Sequence, residues 1–207
     1  MLAWRYESLK HCLKQGKPAL FPTDTVYGLG VAVRYLNSPQ VLFDIKERPA
    51  NKPVAWLVGS KSDLIKYGKD VPAYAVALAE NFWPGALTLI VKANPDISTK
   101  YCSEEHTLGL RMPNSEFVCQ LACDLDSPLA TTSANISGMP AVCCYDELDS
   151  RLIERVEVCI PEDASASGIA STVVNCTQAK PFIVRQGDIS KEEIDKVCIK
   201  FLKDETR

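Results

Sequence analysis

Hydroxyl, amide and cationic side chains concentrate at five places in the sequence, and each could serve an anionic or strongly polar ligand. Thr23-Asp24-Thr25-Val26-Tyr27-Gly28-Leu29-Gly30 follows a short apolar run. Its hydroxyls either hydrogen-bond a ligand or cap an ordinary strand-to-turn connection, and its glycines permit backbone geometry closed to other residues. It has neither the GxxxxGKS/T nor the GxGxxG spacing, so it is neither a Walker loop nor a dinucleotide loop. Lys46, Arg48 and Lys52 gather where a helix should end. Cations there either answer the helix dipole or clamp a phosphate, arginine as a planar fork and lysine as a point charge. Arg111 stands between Leu110 and Met112, after Thr107, in a strand-like run. A buried arginine needs an anionic partner, either a protein carboxylate or a ligand's. Thr131-Thr132-Ser133-Ala134-Asn135 presents small donors and acceptors, suited to phosphate or ribose oxygens or to an Asx-type turn. Ser171 opens one further strand candidate and Arg185 closes another, and alone they read as polar strand ends.

The elements that must position these residues alternate between strand and helix. Leu9, Cys12 and Leu13 follow the helical period and Gly16 ends the helix. Ser38-Pro39 reads as an N-cap with proline at the first helical position, the helix stopping before Pro49. Further helices are expected at Ala73–Asn81, Ser115–Asp124, Asp146–Arg155 and Lys191–Leu202, the last opened by a Ser190/Glu193 capping box. Strands are expected at PALFP, Val54–Val58, Leu87–Ala93, Leu108–Met112, Leu129–Thr132, Val156–Ile160, Ser171–Cys176 and Phe182–Arg185. This alternation is that of an α/β layer structure, with antiparallel pairing towards the C-terminus. On this pattern the five polar groups should occupy the turns after apolar strands, where open α/β sheets bind ligands.

Composition sets limits. The 207 residues, with 46% apolar and 24% charged side chains, suit one globular α/β domain over 1–207. A formal charge of −3 argues against a protein that wraps a nucleic-acid backbone. The nine cysteines lack the paired spacings of a zinc site and are expected to be buried reduced thiols. The N-terminus has no uninterrupted apolar stretch, and no run nears the ~20 residues of a membrane span, so a soluble, cytoplasmic protein without membrane contact is expected.

Taken in order, PTDTVYGLG, KERPANKP, FWPGALTLIV, LGLRMP, TTSANISG and STVV…VRQGD resemble the YrdC/TsaC family of threonylcarbamoyl-adenylate synthases, from about Leu9 to Asp188. The resemblance implies a single-domain, twisted mixed sheet flanked by helices around a concave cationic cavity. It also implies condensation of L-threonine, bicarbonate and ATP into threonylcarbamoyl-AMP and pyrophosphate, for tRNA modification. The product passes to a tRNA threonylcarbamoyl-transferase complex, with transient contact to that complex or to tRNA. By motif position, Thr25, Arg111, Thr131 and Ser171 would hold threonine. Lys46, Arg48, Lys52, Thr107, Ser133, Asn135, Ala141 and Arg185 would hold ATP. No catalytic side chain and no protein metal ligand is implied; Mg²⁺ would enter with ATP. Lys52 stands where many members have Asn, and Leu57 where many have His, which removes one threonine contact. The chain matches the short form of the family, without an extra C-terminal domain. Two other readings are an RNA-binding module of the same fold and carbamoyl-phosphate-dependent carbamoyl-adenylate chemistry.

Overall fold

The first helix, α1 (Ala3–Lys14), buries Leu9, Cys12 and Leu13, the i, i+3, i+4 stripe that its sequence predicts. It stops in a Schellman arrangement: Lys17 N–H reaches Cys12 O at 3.2 Å and Gly16 N–H reaches Leu13 O at 3.0 Å. Gly16 supplies the positive φ of +71°, and a Cβ there would lie 2.6 Å from Tyr35 O. The computed structural model describes residues 3–47, 54–162 and 166–202, and everything below concerns those residues.

The strands are β1 (Ala19–Phe21), β2 (Gly28–Ala32), β3 (Ala55–Leu57), β4 (Leu87–Lys92), β5 (Thr107–Arg111), β6 (Leu129–Ser133), β7 (Val158–Cys159), β8 (Thr172–Asn175) and β9 (Phe182–Arg185). They form one mixed sheet in the order β7-β1-β2-β6-β3-β5-β4-β8-β9. The β1–β7, β3–β5 and β4–β8 pairs are parallel and the rest antiparallel. The remaining helices are α2 (Gln40–Lys46), α3 (Asp63–Tyr67), α4 (Ala73–Phe82), α5 (Glu116–Asp124), α6 (Ser150–Ile153) and α7 (Lys191–Leu202).

Side chains alternate across the sheet. One face carries Leu29, Val31, Trp56, Leu89, Leu108, Leu110 and Val174, which pack with Leu42, Leu78 and Ile194 from the helices into the larger core. The other face is covered only at one end, where α1 and α5 bring Leu9, Leu13, Val118 and Leu121 onto Phe21, Leu57 and Leu129. Each such fully buried leucine contributes about 1.5–3 kcal/mol. Ser115 Oγ caps α5 by accepting from Val118 N–H at 3.4 Å. The capping box of α7 also forms: Glu193 Oε2 accepts from Ser190 N–H at 2.9 Å, and Ser190 Oγ accepts from Glu193 N–H.

Several expectations change. The segment read as a turn at Gly28–Gly30 is strand β2, paired on both sides. A helix over Asp146–Arg155 reduces to a single 3-10 turn at Tyr145–Glu147 and the short α6, because Leu148 is extended and the Asp149 carboxylate caps Arg151 N–H to start the helix there. Only Val158–Cys159 of Val156–Ile160 joins the sheet, at its edge. The helix α3 had no periodic signal to announce it. The cysteines are all reduced, but Cys123 is exposed and only Cys12, Cys176 and Cys198 are fully buried.

Candidate active site

Where α1 and α5 do not reach, the sheet face forms the floor of a cavity of about 490 Å³, within the usual range for small-molecule sites. Registered neighbours Thr131, Ala55, Gly109 and Ile90 cross this floor on β6, β3, β5 and β4. Three of the four are small, so the floor lies close to the backbone. The polar residues therefore lie in the strands as well as in the turns after them: Thr131 and Ser133 on β6, Thr107 and Arg111 on β5, and Arg185 on β9. The expected placement in turns alone is thus corrected. Sheet register now does the gathering. Beside this floor, the ring of Phe21 and the hydroxyl of Thr131 close over Gly30, where a Cβ would stand 2.8 Å from Thr131 Oγ1 and 2.9 Å from Phe21 Cζ.

Arg111 is 6% exposed. Its Nη2 donates to Asp24 Oδ1 at 2.6 Å, Nη1 to Thr25 Oγ1 at 2.9 Å and Nε to Gly85 O at 2.9 Å. Burial pushes its pKa down from the ordinary arginine value, and the Asp24 carboxylate opposes that shift. Asp24 Oδ2 also accepts from Asn114 N–H at 2.9 Å. Of the two partners open to Arg111 in the sequence, a protein carboxylate is present.

Arg185 differs. Its Nε and Nη2 donate to Ser171 O at 3.1 and 2.8 Å, and Nη2 also reaches Ser171 Oγ at 3.1 Å. No carboxylate pairs with it among the described residues. Partial burial lowers its pKa, and so does the neighbouring charge of Arg111. A bulge aims it inward: Val173 pairs with Arg185 and Val174 with Ile183, leaving Val184 as the extra residue.

The hydroxyl groups are held in pairs. Ser171 Oγ lies 2.9 Å from Thr88 Oγ1, Thr107 Oγ1 2.7 Å from Ser103 Oγ, and Thr25 Oγ1 3.3 Å from Thr23 Oγ1. Thr131 Oγ1 donates to Leu129 O at 3.0 Å. Ser133 Oγ donates to Asn135 Oδ1 at 2.5 Å, while Asn135 Nδ2 donates to Met139 O at 2.6 Å. Ala141 lines the cavity beside Val142, whose carbonyl receives Tyr27 N–H at 2.8 Å. Leu57, 4% exposed, presents an apolar side chain to the same space.

Lys46 does not line the cavity. It is 2% exposed, and its ammonium donates to Ser133 O, to Asn135 O at 2.7 Å and to Asn135 Oδ1 at 3.1 Å. The helix end at Glu47, in the left-handed region with φ 54°, sets it beneath that turn. Its geometry is that of a pin for the Ser133–Asn135 segment. Lys46→Met is expected to cost about 1–3 kcal/mol in urea unfolding, because buried acceptors lose their donor; an unchanged midpoint would show that the ammonium pins nothing. Arg48 and Lys52 lie outside the described residues.

Sequence reasoning assigned no role to Asp24 or Thr88. Asp24 carried a signal, since it adjoins Thr25 in a motif already singled out. Thr88, inside an apolar strand, carried none.

Arg111 and Arg185 are the only charged residues lining the cavity among those described, and no carboxylate lines it. A small-residue floor, fixed hydroxyls and two guanidinium groups define an α/β protein with a polar cavity on one sheet face, of a chemistry suited to anionic groups. The chain belongs to the Sua5/YciO/YrdC family: the family model described as "Telomere recombination" matches residues 11–187. The threonylcarbamoyl-AMP synthase of Pyrococcus abyssi is 32% identical over 194 residues, which are 94% of this chain and 57% of that protein. A putative threonylcarbamoyl-AMP synthase of Mycobacterium leprae is 37% identical over 185 residues, 89% of this chain and 84% of its own. The crystal structure of P. abyssi Sua5 complexed with L-threonine superposes with a TM-score of 0.88 at 32% identity, over 94% of this chain and 57% of that one. E. coli YciO, at 23% identity and a TM-score of 0.82, covers 91% of this chain and 92% of its own and shares the fold. The chain thus spans little over half the length of the Pyrococcus protein. No helix among the described residues is long and apolar enough to cross a membrane.

Proposed function

We propose that this chain is a threonylcarbamoyl-AMP synthase, condensing L-threonine, bicarbonate and ATP to threonylcarbamoyl-AMP, pyrophosphate and water. The observation that carries this reading is the cavity lined by Arg111 and Arg185 with no lining carboxylate among the described residues, in a chain whose relatives bear that name. The reaction gathers a triphosphate, a carboxylate and a carbamate. Like charges at about 4 Å repel by roughly 4 kcal/mol at an effective dielectric near 20, so fixed cations are needed to bring them together.

In this reading Arg111, Thr25, Thr131 and Ser171 take the amino acid, its carboxylate on the inner guanidinium. Arg185, Thr107, Ser133, Asn135 and the Ala141 backbone take the nucleotide, joined by Arg48 and Lys52, while Lys46 acts by holding the Ser133–Asn135 turn. The threonine nitrogen attacks carbon dioxide or bicarbonate to form a carbamate. A carbamate oxygen then attacks the α-phosphorus, and pyrophosphate leaves with the P–O bonding pair. Positioning and charge stabilisation supply the catalysis. Mg²⁺ would travel with the triphosphate on phosphate and water ligands. That fits a lining of hydroxyls and guanidinium groups, and the nearby Asp24 carboxylate is already engaged by Arg111 and Asn114.

The expected result is pyrophosphate release only when threonine, bicarbonate and Mg-ATP are all present. Release that ignores threonine would sink the proposal, and threonine-independent release with carbamoyl phosphate would favour carbamoyl-adenylate chemistry instead.

A further inference from the structure

Thr88 carries the only hydroxyl on β4, a strand flanked by β5 on one side and β8 on the other. Leu87, Leu89 and Val91 turn into the larger core, while Thr88 and Ile90 line the cavity. The methyl group of Thr88 lies towards β5, for a Cβ added at Gly109 would stand 3.2 Å from Thr88 Cγ2. Its hydroxyl lies towards β8, where Oγ1 is 2.9 Å from Ser171 Oγ. A β-branched side chain is stiff about χ1, so the bare glycine and the hydroxyl partner together set one rotamer.

The protons of this pair can be counted. Each hydroxyl has one proton to give and two lone pairs to accept with. Arg185 can only donate, and its Nη2 does so to Ser171 Oγ at 3.1 Å. One hydroxyl proton is spent between Thr88 and Ser171, whichever of them donates. The other has no acceptor among the described residues. Both residues line the cavity and keep a little open surface there, 5% for Thr88 and 6% for Ser171. The guanidinium on Ser171 Oγ polarises the pair and makes its spare proton the better donor.

We infer that Thr88 is a positioning residue whose hydroxyl and that of Ser171 act as one donor unit, holding the spare proton towards the carboxylate of the amino-acid substrate. This inference rests on the synthase reading, in which Ser171 takes the amino acid. Without Thr88 Oγ1 the Ser171 proton is still present, but nothing steers it.

Thr88→Val keeps the branch and removes the hydroxyl, and valine is a good strand former. Threonine binding, read by calorimetric titration, should weaken about five- to tenfold, one neutral hydrogen bond's share. Thr88→Ser restores the hydroxyl and should stay within about twofold of the unaltered protein. ATP affinity should not follow the threonine loss, because Arg185 is held chiefly by Ser171 O. If Thr88→Val does not fold, Thr88→Ala makes the same comparison. Undiminished threonine affinity in the hydroxyl-free variant overturns the inference alone. So does a Thr88→Ser variant as weak as Thr88→Val, or an equal loss for ATP, since either would mark a merely structural role. An unaltered protein that binds no threonine would overturn the synthase reading itself, and this inference with it.

Discussion

Arg111→Ala is expected to lower the unfolding free energy by about 3–5 kcal/mol, the cost of breaking a buried ion pair from one side. For a domain of this size that corresponds to a fall in Tm of roughly 10 °C. The loss arises because the guanidinium satisfies three protein oxygens at once. Asp24 would keep a buried charge with only Asn114 N–H against it, and Gly85 O and Thr25 Oγ1 would lose their donor. The same substitution should weaken threonine binding at least about a hundredfold, since the proposed charge partner of its carboxylate is gone. The double variant Arg111→Met/Asp24→Leu separates the two effects. Removing both charges should restore more than half of the lost stability, because the desolvated carboxylate is gone, while threonine binding stays lost. Urea unfolding and calorimetric titration read the two quantities. A double variant as unstable as the single one would show that charge pairing is not the cause. Undiminished threonine affinity in Arg111→Ala would remove the assignment of the amino-acid site.

Arg185→Met should show the reverse signature. Among the described residues its guanidinium makes hydrogen bonds only to Ser171, and no carboxylate there is stranded when it goes. Stability should fall by no more than about 1 kcal/mol. ATP affinity should fall about 10- to 100-fold, the scale of a charged hydrogen-bonding partner. Arg185→Lys should recover part of that affinity, keeping the charge but losing the planar fork. An unchanged ATP dissociation constant in Arg185→Met would take the nucleotide away from this edge of the cavity. A collapse in stability would mean that β9 depends on the side chain for its own sake.

The sequence made some elements plain for physical reasons. Leu87–Lys92 is a largely apolar, β-branched run broken only by Thr88 before its exposed end at Lys92, and α5 and α7 announce themselves through Ser115 and Ser190. The strand β2 was hidden by the residues that matter most to the site: Gly28 and Gly30 leave one face bare, so no alternation of large apolar and polar side chains is left to read. The Asp24–Arg111 pair was hidden by distance, since 87 residues separate two partners that only the fold brings together. Arg185 was visible as a cation, but its direction depends on a one-residue bulge with no sequence mark. Lys46 shows the opposite error. Spacing grouped it with Arg48 and Lys52, yet a helix end turns its ammonium away from the cavity and onto backbone carbonyls.

The small-residue floor ties the protein's durability to its activity. Ala55 and Gly109 occupy the middle of a sheet, where β-branched residues are the stronger strand formers and glycine gives up roughly 0.5–1 kcal/mol even to alanine. Heat resistance selected by itself therefore favours bulk at these positions. Every added methyl group there would come out of the space the ligand needs. Lineages or engineering campaigns that reward only robustness should fill the cavity first, and the sheet that results would be sturdier and idle.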